Sequence, residues 1–247
     1  MLAMKTGLVV HLGLLEYGAA WELQRRIVAA RKAGAVADVL LLCEHPHVIT
    51  LGRNGKLGNL RASDHVLRHM GVSFFDTDRG GDITYHGPGQ LVGYPILNLA
   101  DIRRDVAWYL RGLEEAMVRA TAEFGIASRR VAGRTGVWVD APMESRGEEK
   151  LAAIGVHLSH WITSHGFAYN VSTDLHYFDL IVPCGIVDKR ATSLEKLLGR
   201  GVKMKEVSPR VAGYLGELMG LDFRLADLDE LDALLRTHED HVALAAV

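Results

Sequence analysis

Two stretches of this 247-residue chain, 83–100 and 151–173, contain no Asp, Glu, Lys or Arg, and they limit the possible fold more than any other feature. Uncharged runs of this length belong in a protein core or a bilayer. The first run holds His86, Pro88, Gln90, Pro95 and Asn98; the second holds His157, His160, His165 and Asn170. Hydrocarbon would leave those polar groups without partners, so both runs are expected inside a folded protein and no membrane span is predicted.

The pattern around them mixes both periodicities. Leu15, Ala19, Leu23, Ile27 and Ala30 recur at helical spacing before an apolar run over 36–42, so the chain is expected to open strand, helix, strand. A second short strand is expected over 48–51, a helix capped by Ser63 to about residue 70, and strands over 72–75 and 91–97. Val106, Leu110, Leu113, Met117, Ala120 and Phe124 form one face of a long helix. Beyond it, 136–139 reads as a strand. Ile154, Val156 and Leu158 alternate with Gly155, His157 and Ser159, a half-buried strand that carries Lys150 near its start and has a partner over 162–171. The remainder reads as helices over 193–198 and 207–219, with a last one over the leucine-rich 225–235. No repeat or domain boundary is visible. The expectation is one domain over 1–247, of α/β (α+β-like) class, with a mixed sheet and helices packed on it.

Net charge −2 from 28 basic and 30 acidic residues offers no whole-molecule attraction to nucleic acid or to an anionic membrane. Two cysteines, Cys43 and Cys184, are too few for a disulfide framework and fit a reducing, cytoplasmic setting. His45 and His47 stand two apart, but neither a zinc-protease helix spacing nor paired cysteines accompany them, so no metal site is expected. Cys43 lies on an apolar run and reads as core.

Cys184 sits between Pro183 and Gly185, which fix the backbone before the thiol and remove bulk after it. On residue type alone, a buried core cysteine is the commoner state. An ordinary thiol of pKa ~8.5 is only a few per cent thiolate near neutrality, so a nucleophile needs a neighbouring cation or base. Lys150, entering an apolar strand, can supply that, although a strand-edge lysine after Glu148 and Glu149 is the plainer reading. The run RGGDITYHGPGQ over 79–90 packs four glycines beside Arg79, Tyr85 and His86, so main-chain amides can approach a ligand there. It lacks the ending of a phosphate loop and the dinucleotide spacing.

Five segments together resemble the lipoate-pathway octanoyltransferases, often called lipoate-protein ligase B: EHPHVITLGRNG, RGGDITYHGPGQLVGYPILNL, GVWV, KLAAIGVHLSHWITSHGFAYNV and IVPCGIVDKRATSLEKLLG, in the family's order over roughly 44–199. The resemblance implies a domain like the catalytic domain of biotin and lipoate protein ligases, with Cys184 as acyl-thioester nucleophile and Lys150 as its activating partner. It further implies a substrate-binding wall made by Arg79, Gly80, Gly81, Asp82, Ile83, Thr84, Tyr85 and His86, by Ala153, Ile154 and Gly155, and by Gly166, Phe167 and Ala168. The implied donor is octanoyl-acyl carrier protein. The implied acceptors are the lipoyl domains of 2-oxoacid dehydrogenase E2 subunits and the glycine cleavage H protein, with no cofactor. His157 stands where the family often has arginine, and Tyr169 where it often has leucine; the larger ring is expected to reshape the acyl pocket. Arg129, Arg130 and Arg134 suit an acidic carrier and equally a solvated charged face. Two rivals remain open at this point: an ATP-dependent lipoate or biotin protein ligase, and a non-catalytic acyl-carrier-binding module. A cysteine hydrolase would release free acid instead.

Overall fold

The computed structural model describes residues 5–141, 147–182 and 190–245. Twelve strands and seven α-helices occur among them, with two short 3-10 turns over Leu57–Asn59 and Leu175–Leu180. Nine strands make one sheet: β1 (Lys5–Leu14), β2 (Val39–Glu44), β6 (Gln90–Ile96), β7 (Arg129–Val131), β8 (Arg134–Asp140), β9 (Glu148–Ser159), β10 (Ile162–Asn170), β11 (Arg190–Ala191) and β12 (Leu221–Ala226). Their order is β12-β1-β2-β6-β10-β9-β8-β7, with β11 paired to β9. A small sheet places β3 (Val48–Leu51) between β4 (Ser73–Asp76) and β5 (Ile83–His86). The two uncharged runs supply the central strands of the large sheet: β6 comes from the first, β10 and most of β9 from the second.

Strand alternation makes the large sheet's two cores. Leu40 and Leu42 of β2 point into one, against Leu113 and Met117 of α4 (Val106–Ala122) and Val207 and Val211 of α6 (Met204–Met219). Leu41 and Cys43 point into the other, against Leu23 and Ile27 of α1 (Tyr17–Lys32) and Leu231 and Leu235 of α7 (Leu228–Ala245). The short helices α2 (Asp64–His69), α3 (Leu99–Ile102) and α5 (Leu194–Leu198) begin on Ser63, Asn98 and Ser193, whose side chains accept from main-chain N–H groups and cap them. Val72 and Leu67 join Ile49, Leu51 and Tyr85 in a third core on the small sheet.

The α/β expectation holds, with two corrections. Residues 83–86, read as part of a glycine-rich loop, form β5, antiparallel to β3. Leu225 belongs to β12, which runs parallel to β1; the helix starts at Leu228, where Asp227 accepts from Glu230 N–H at 2.7 Å and stops the strand. Arg129 forms the edge strand β7, and the three arginines are ion-paired within the chain: Arg129 to Asp140 at 2.7 Å, Arg134 to Glu148 at 2.7 Å, Arg130 to Glu115 at 3.4 Å. No described helix is long and apolar enough to cross a membrane.

Candidate active site

A cavity of about 410 Å³ lies against both sheets, the size of a small-ligand pocket. Its floor is the β9–β10 pair. Gly155 and Gly166 face each other there in register, and neither tolerates a side chain: a Cβ on Gly155 would stand 2.7 Å from the Gly80 carbonyl, one on Gly166 2.6 Å from Pro95 Cδ. The bare backbone lets the 79–82 loop lie down on β9, where Gly80 N–H donates to the Val156 carbonyl at 2.8 Å. Small residues here exist so that one main chain can touch another.

The sequence-derived wall converges on this cavity. Arg79, Gly80, Gly81, Asp82, Ile83, Thr84 and His86 line it from the loop and β5; Ala153, Ile154 and Gly155 from β9; Gly166, Phe167 and Ala168 from β10. Tyr85 is the exception and is corrected here. It turns to the far side of β5, where its ring stacks on Tyr177 and its hydroxyl bonds His47 Nδ1 at 2.8 Å. Arg79 is 7% exposed and spends its guanidinium on Thr50, donating through Nε at 3.1 Å and Nη2 at 2.9 Å to the hydroxyl. Its Nη1 donates to the Gly80 carbonyl at 3.0 Å, so Arg79 helps set the loop's shape.

Lys150 lines the cavity from β9, with its ammonium 4.6 Å from the centroid of Trp138, the residue paired with it on β8. Gly136 beside it has φ +122 and sits under Lys150 Cε, at 3.5 Å from where a Cβ would be. Cys184 lies outside the described residues, as does Gly185. The residues that flank 183–189 are described and reach the same place: Phe178 on one side, Arg190 and Ala191 on the other, all line the cavity. Ala191 pairs in register with Lys150, and Thr192 N–H donates to the Lys150 carbonyl at 2.9 Å.

Burial keeps the imidazoles around the cavity neutral. His86 is pushed down to about 3, by burial first and then by the His45 and Arg79 charges. His45 is pushed down to about 4 by burial, and it is closed off by the Leu15 carbonyl at 2.6 Å and the Tyr94 hydroxyl at 2.7 Å. His165 is lowered by burial, opposed by Asp78, whose carboxylate accepts a hydrogen bond from Nε2–H at 2.7 Å. Among the described residues no group of three or more His, Cys, Asp or Glu could hold a metal ion. Cys43 is buried in the core on β2, and burial pushes its thiol up.

The lipoyl protein ligase A/B catalytic domain family matches residues 16–216. An octanoyltransferase of Solibacter usitatus is 53% identical over 212 residues, covering 86% of this chain and 92% of that one. An octanoyltransferase of Koribacter versatilis is 47% identical over 240 residues, covering 96% and 93%. The chain belongs to the octanoyltransferase family. Its fold is also that of a ligase: a chain from the archaeal lipoylation system of Thermoplasma acidophilum, a bi-partite lipoate protein ligase and its E2 lipoyl domain, matches with TM-score 0.71 at 17% identity over 96% of this chain and 92% of that one.

Two departures from the octanoyltransferase pattern now have places. His157 faces Asp78 at 3.7 Å, beside His165. Tyr169 does not reshape the cavity. It is fully buried on the α4 side of the sheet, with its hydroxyl 2.6 Å from Thr121 Oγ1, so the expected effect on the acyl pocket is withdrawn. Other wall residues were not singled out as site residues from sequence, among them Tyr17, Gln90, Tyr94, Trp138 and Asn170. Gln90, Trp138 and Asn170 sit inside the octanoyltransferase motifs and were findable there; Tyr17 on α1 carries no such signal.

Proposed function

We propose that this chain transfers an octanoyl group from octanoyl-acyl carrier protein to the lipoyl-domain lysine of 2-oxoacid dehydrogenase E2 subunits and the glycine cleavage H protein. The reading rests on family membership and on one observation: a lysine on the wall of a cavity floored by glycine and alanine, with the chain on both sides of 183–189 arriving at that cavity. Cys184 is the nucleophile in this reading and Lys150 its partner. The Cys184 thiolate attacks the thioester carbonyl, the carbonyl–sulfur bond to the carrier breaks, and the carrier thiol leaves with the proton that Lys150 took from Cys184. The acceptor amine then attacks the acyl-enzyme, the Cys184 carbonyl–sulfur bond breaks, an amide forms, and the amine proton returns to the cysteine. One thioester replaces another and is then spent on an amide, so no nucleotide enters.

The acyl chain occupies the cavity, where each buried methylene contributes about 0.8 kcal/mol. Intact mass spectrometry after brief mixing with octanoyl-carrier protein, without nucleotide, tests the reading. Wild type should gain one octanoyl mass and Cys184→Ala none. Lys150→Met should slow the gain by roughly 10²–10⁴-fold, the usual worth of a positioned proton acceptor. Turnover that requires ATP and free acid, with no adduct, would move the chain to ligase chemistry, which the same fold carries.

A further inference from the structure

A path of hydrogen bonds runs through the wall of the cavity, buried from Arg79 to Thr192, and the transfer step proposed above assigns it no part. It starts at Arg79, whose guanidinium donates to Thr50 Oγ1. Thr50 Oγ1 lies 3.5 Å from His86 Nε2, and His86 Nδ1 lies 2.7 Å from Gln90 Oε1. Gln90 Nε2 donates to Asn170 Oδ1 at 2.9 Å, Asn170 Nδ2 to the Thr192 carbonyl at 2.9 Å, and Thr192 N–H to the Lys150 carbonyl at 2.9 Å. Thr50, Gln90, Asn170 and Thr192 are each 4% exposed or less.

The direction of every bond is fixed by its neighbours. Gln90 Nε2 also meets the Tyr85 carbonyl at 3.2 Å, and a carbonyl only accepts, so the amide cannot be turned round. The Thr192 carbonyl pins Asn170 in the same way. Gln90 Oε1 then requires the proton of His86 on Nδ1, leaving Nε2 to accept from the Thr50 hydroxyl, which itself accepts from Arg79. All donors point one way, from the 79–82 loop and β5 to the lysine strand, and bonds so arranged polarise one another. A buried amide that lost its partner would leave its neighbour unsatisfied, so the set holds or fails together.

We propose that Gln90 and Asn170 are positioning residues for acyl transfer: through this one-way path they set the register between the loop that holds the acyl group and the strand that carries Lys150. The proposal rests on the transfer reading above. Neither residue needs to touch the reacting atoms; what they fix is the separation between the bound carbonyl and Lys150, where displacement by about 1 Å costs about a hundredfold in rate.

Asn170→Asp makes the path switchable. A protonated Asp at 170 accepts from Gln90 and donates to the Thr192 carbonyl, as Asn170 does; an ionised one sets an oxygen against that carbonyl. Besides His86, the charged or titratable groups that share the cavity with Asn170 are Arg79, Asp82, Arg134, Lys150, His165 and Arg190; burial lowers both histidines, and all of these groups are common to wild type and variant, so the ratio of their rates isolates residue 170. The measurement is the octanoylation rate of wild type, Asn170→Leu and Asn170→Asp from pH 5.5 to 8, with a melting curve at each pH. Asn170→Leu should acylate about tenfold or more slowly, with the larger part of the loss in kcat and the smaller in KM for the carrier thioester. Asn170→Asp should approach wild type at pH 5.5 and fall about tenfold relative to it by pH 8, while still folded. A flat ratio with pH, or a loss that only follows loss of the folded signal, overturns the proposal. If Asn170→Leu does not fold, the Asn170→Asp series decides alone, since its two protonation states are one chain. Wild type that gains no octanoyl group sinks the transfer reading; wild type and variants that acylate alike sink only the path.

Discussion

At the β9–β10 turn, His160 and Trp161 both take left-handed φ, 53° and 67°, between the paired residues Ser159 and Ile162. A two-residue turn of this hand favours Asn-Gly, and left-handed backbone costs other residues about 1 kcal/mol or more each. The pair His160→Asn and Trp161→Gly should therefore raise stability by roughly 1–2 kcal/mol, read as a higher denaturant midpoint with unchanged slope. No glycine or asparagine marks that turn, which is why sequence pointed to the hairpin without explaining it. Tyr85 and Tyr169 failed for a different reason: a motif gives a residue's place along a strand, while the face is set by the partner its hydroxyl finds, His47 for one and Thr121 for the other. Gly155 was legible as a site residue but not as a landing place for Gly80. Gly155→Ala should lift the loop from β9 and slow octanoylation by about tenfold or more, an effect that ordinary kinetics would miss only if the loop moved freely.

The elements fared better where a periodicity ran long. The stripe along α4 survives through Leu113, Met117 and Ala120, although Val106 at its start is exposed, and Ile154, Val156 and Leu158 of β9 pack together against the same core. Leu113 lies in the middle of the α4 stripe, 1% exposed; Leu113→Ala should cost about 2–5 kcal/mol in denaturant unfolding, the range for cavities left in a packed core. Short elements were hidden. β7 has three residues and β12 six, with Asp222 and Arg224 exposed along it, so the leucines on either side blur into one apparent helix. β5 was masked by the glycines around it. What makes these segments strands is the neighbour each one meets, β8, β1 and β3, and that information is spread across the chain.

For the molecule as a whole, the buried neutral histidines tie stability to pH. His86 and His45 have folded values of about 3 and about 4 against an ordinary 6.5. Below the ordinary value the unfolded chain binds protons that the folded one refuses, so this contribution is complete above about pH 7 and is lost as pH falls toward the folded values. Each ring accounts for about 1.4 kcal/mol per pH unit in that window, so roughly 2–3 kcal/mol should disappear between pH 6 and pH 5. Denaturant midpoints at the two pH values check it; equal midpoints would mean the rings are solvated.

The parallel pairing of β1 with β12 joins Lys5 to Leu221. During synthesis the first strand therefore leaves the ribosome long before its outer neighbour exists, and at about 5–20 residues per second the delay is of order 10–40 s. Through that interval the ten-residue β1 is the border of the sheet, a longer open edge than the six-residue β12 presents afterwards, and nascent chains must keep it from pairing with one another. Overproduction should be limited by that border, and chaperones that shelter newly made chains have most to offer here.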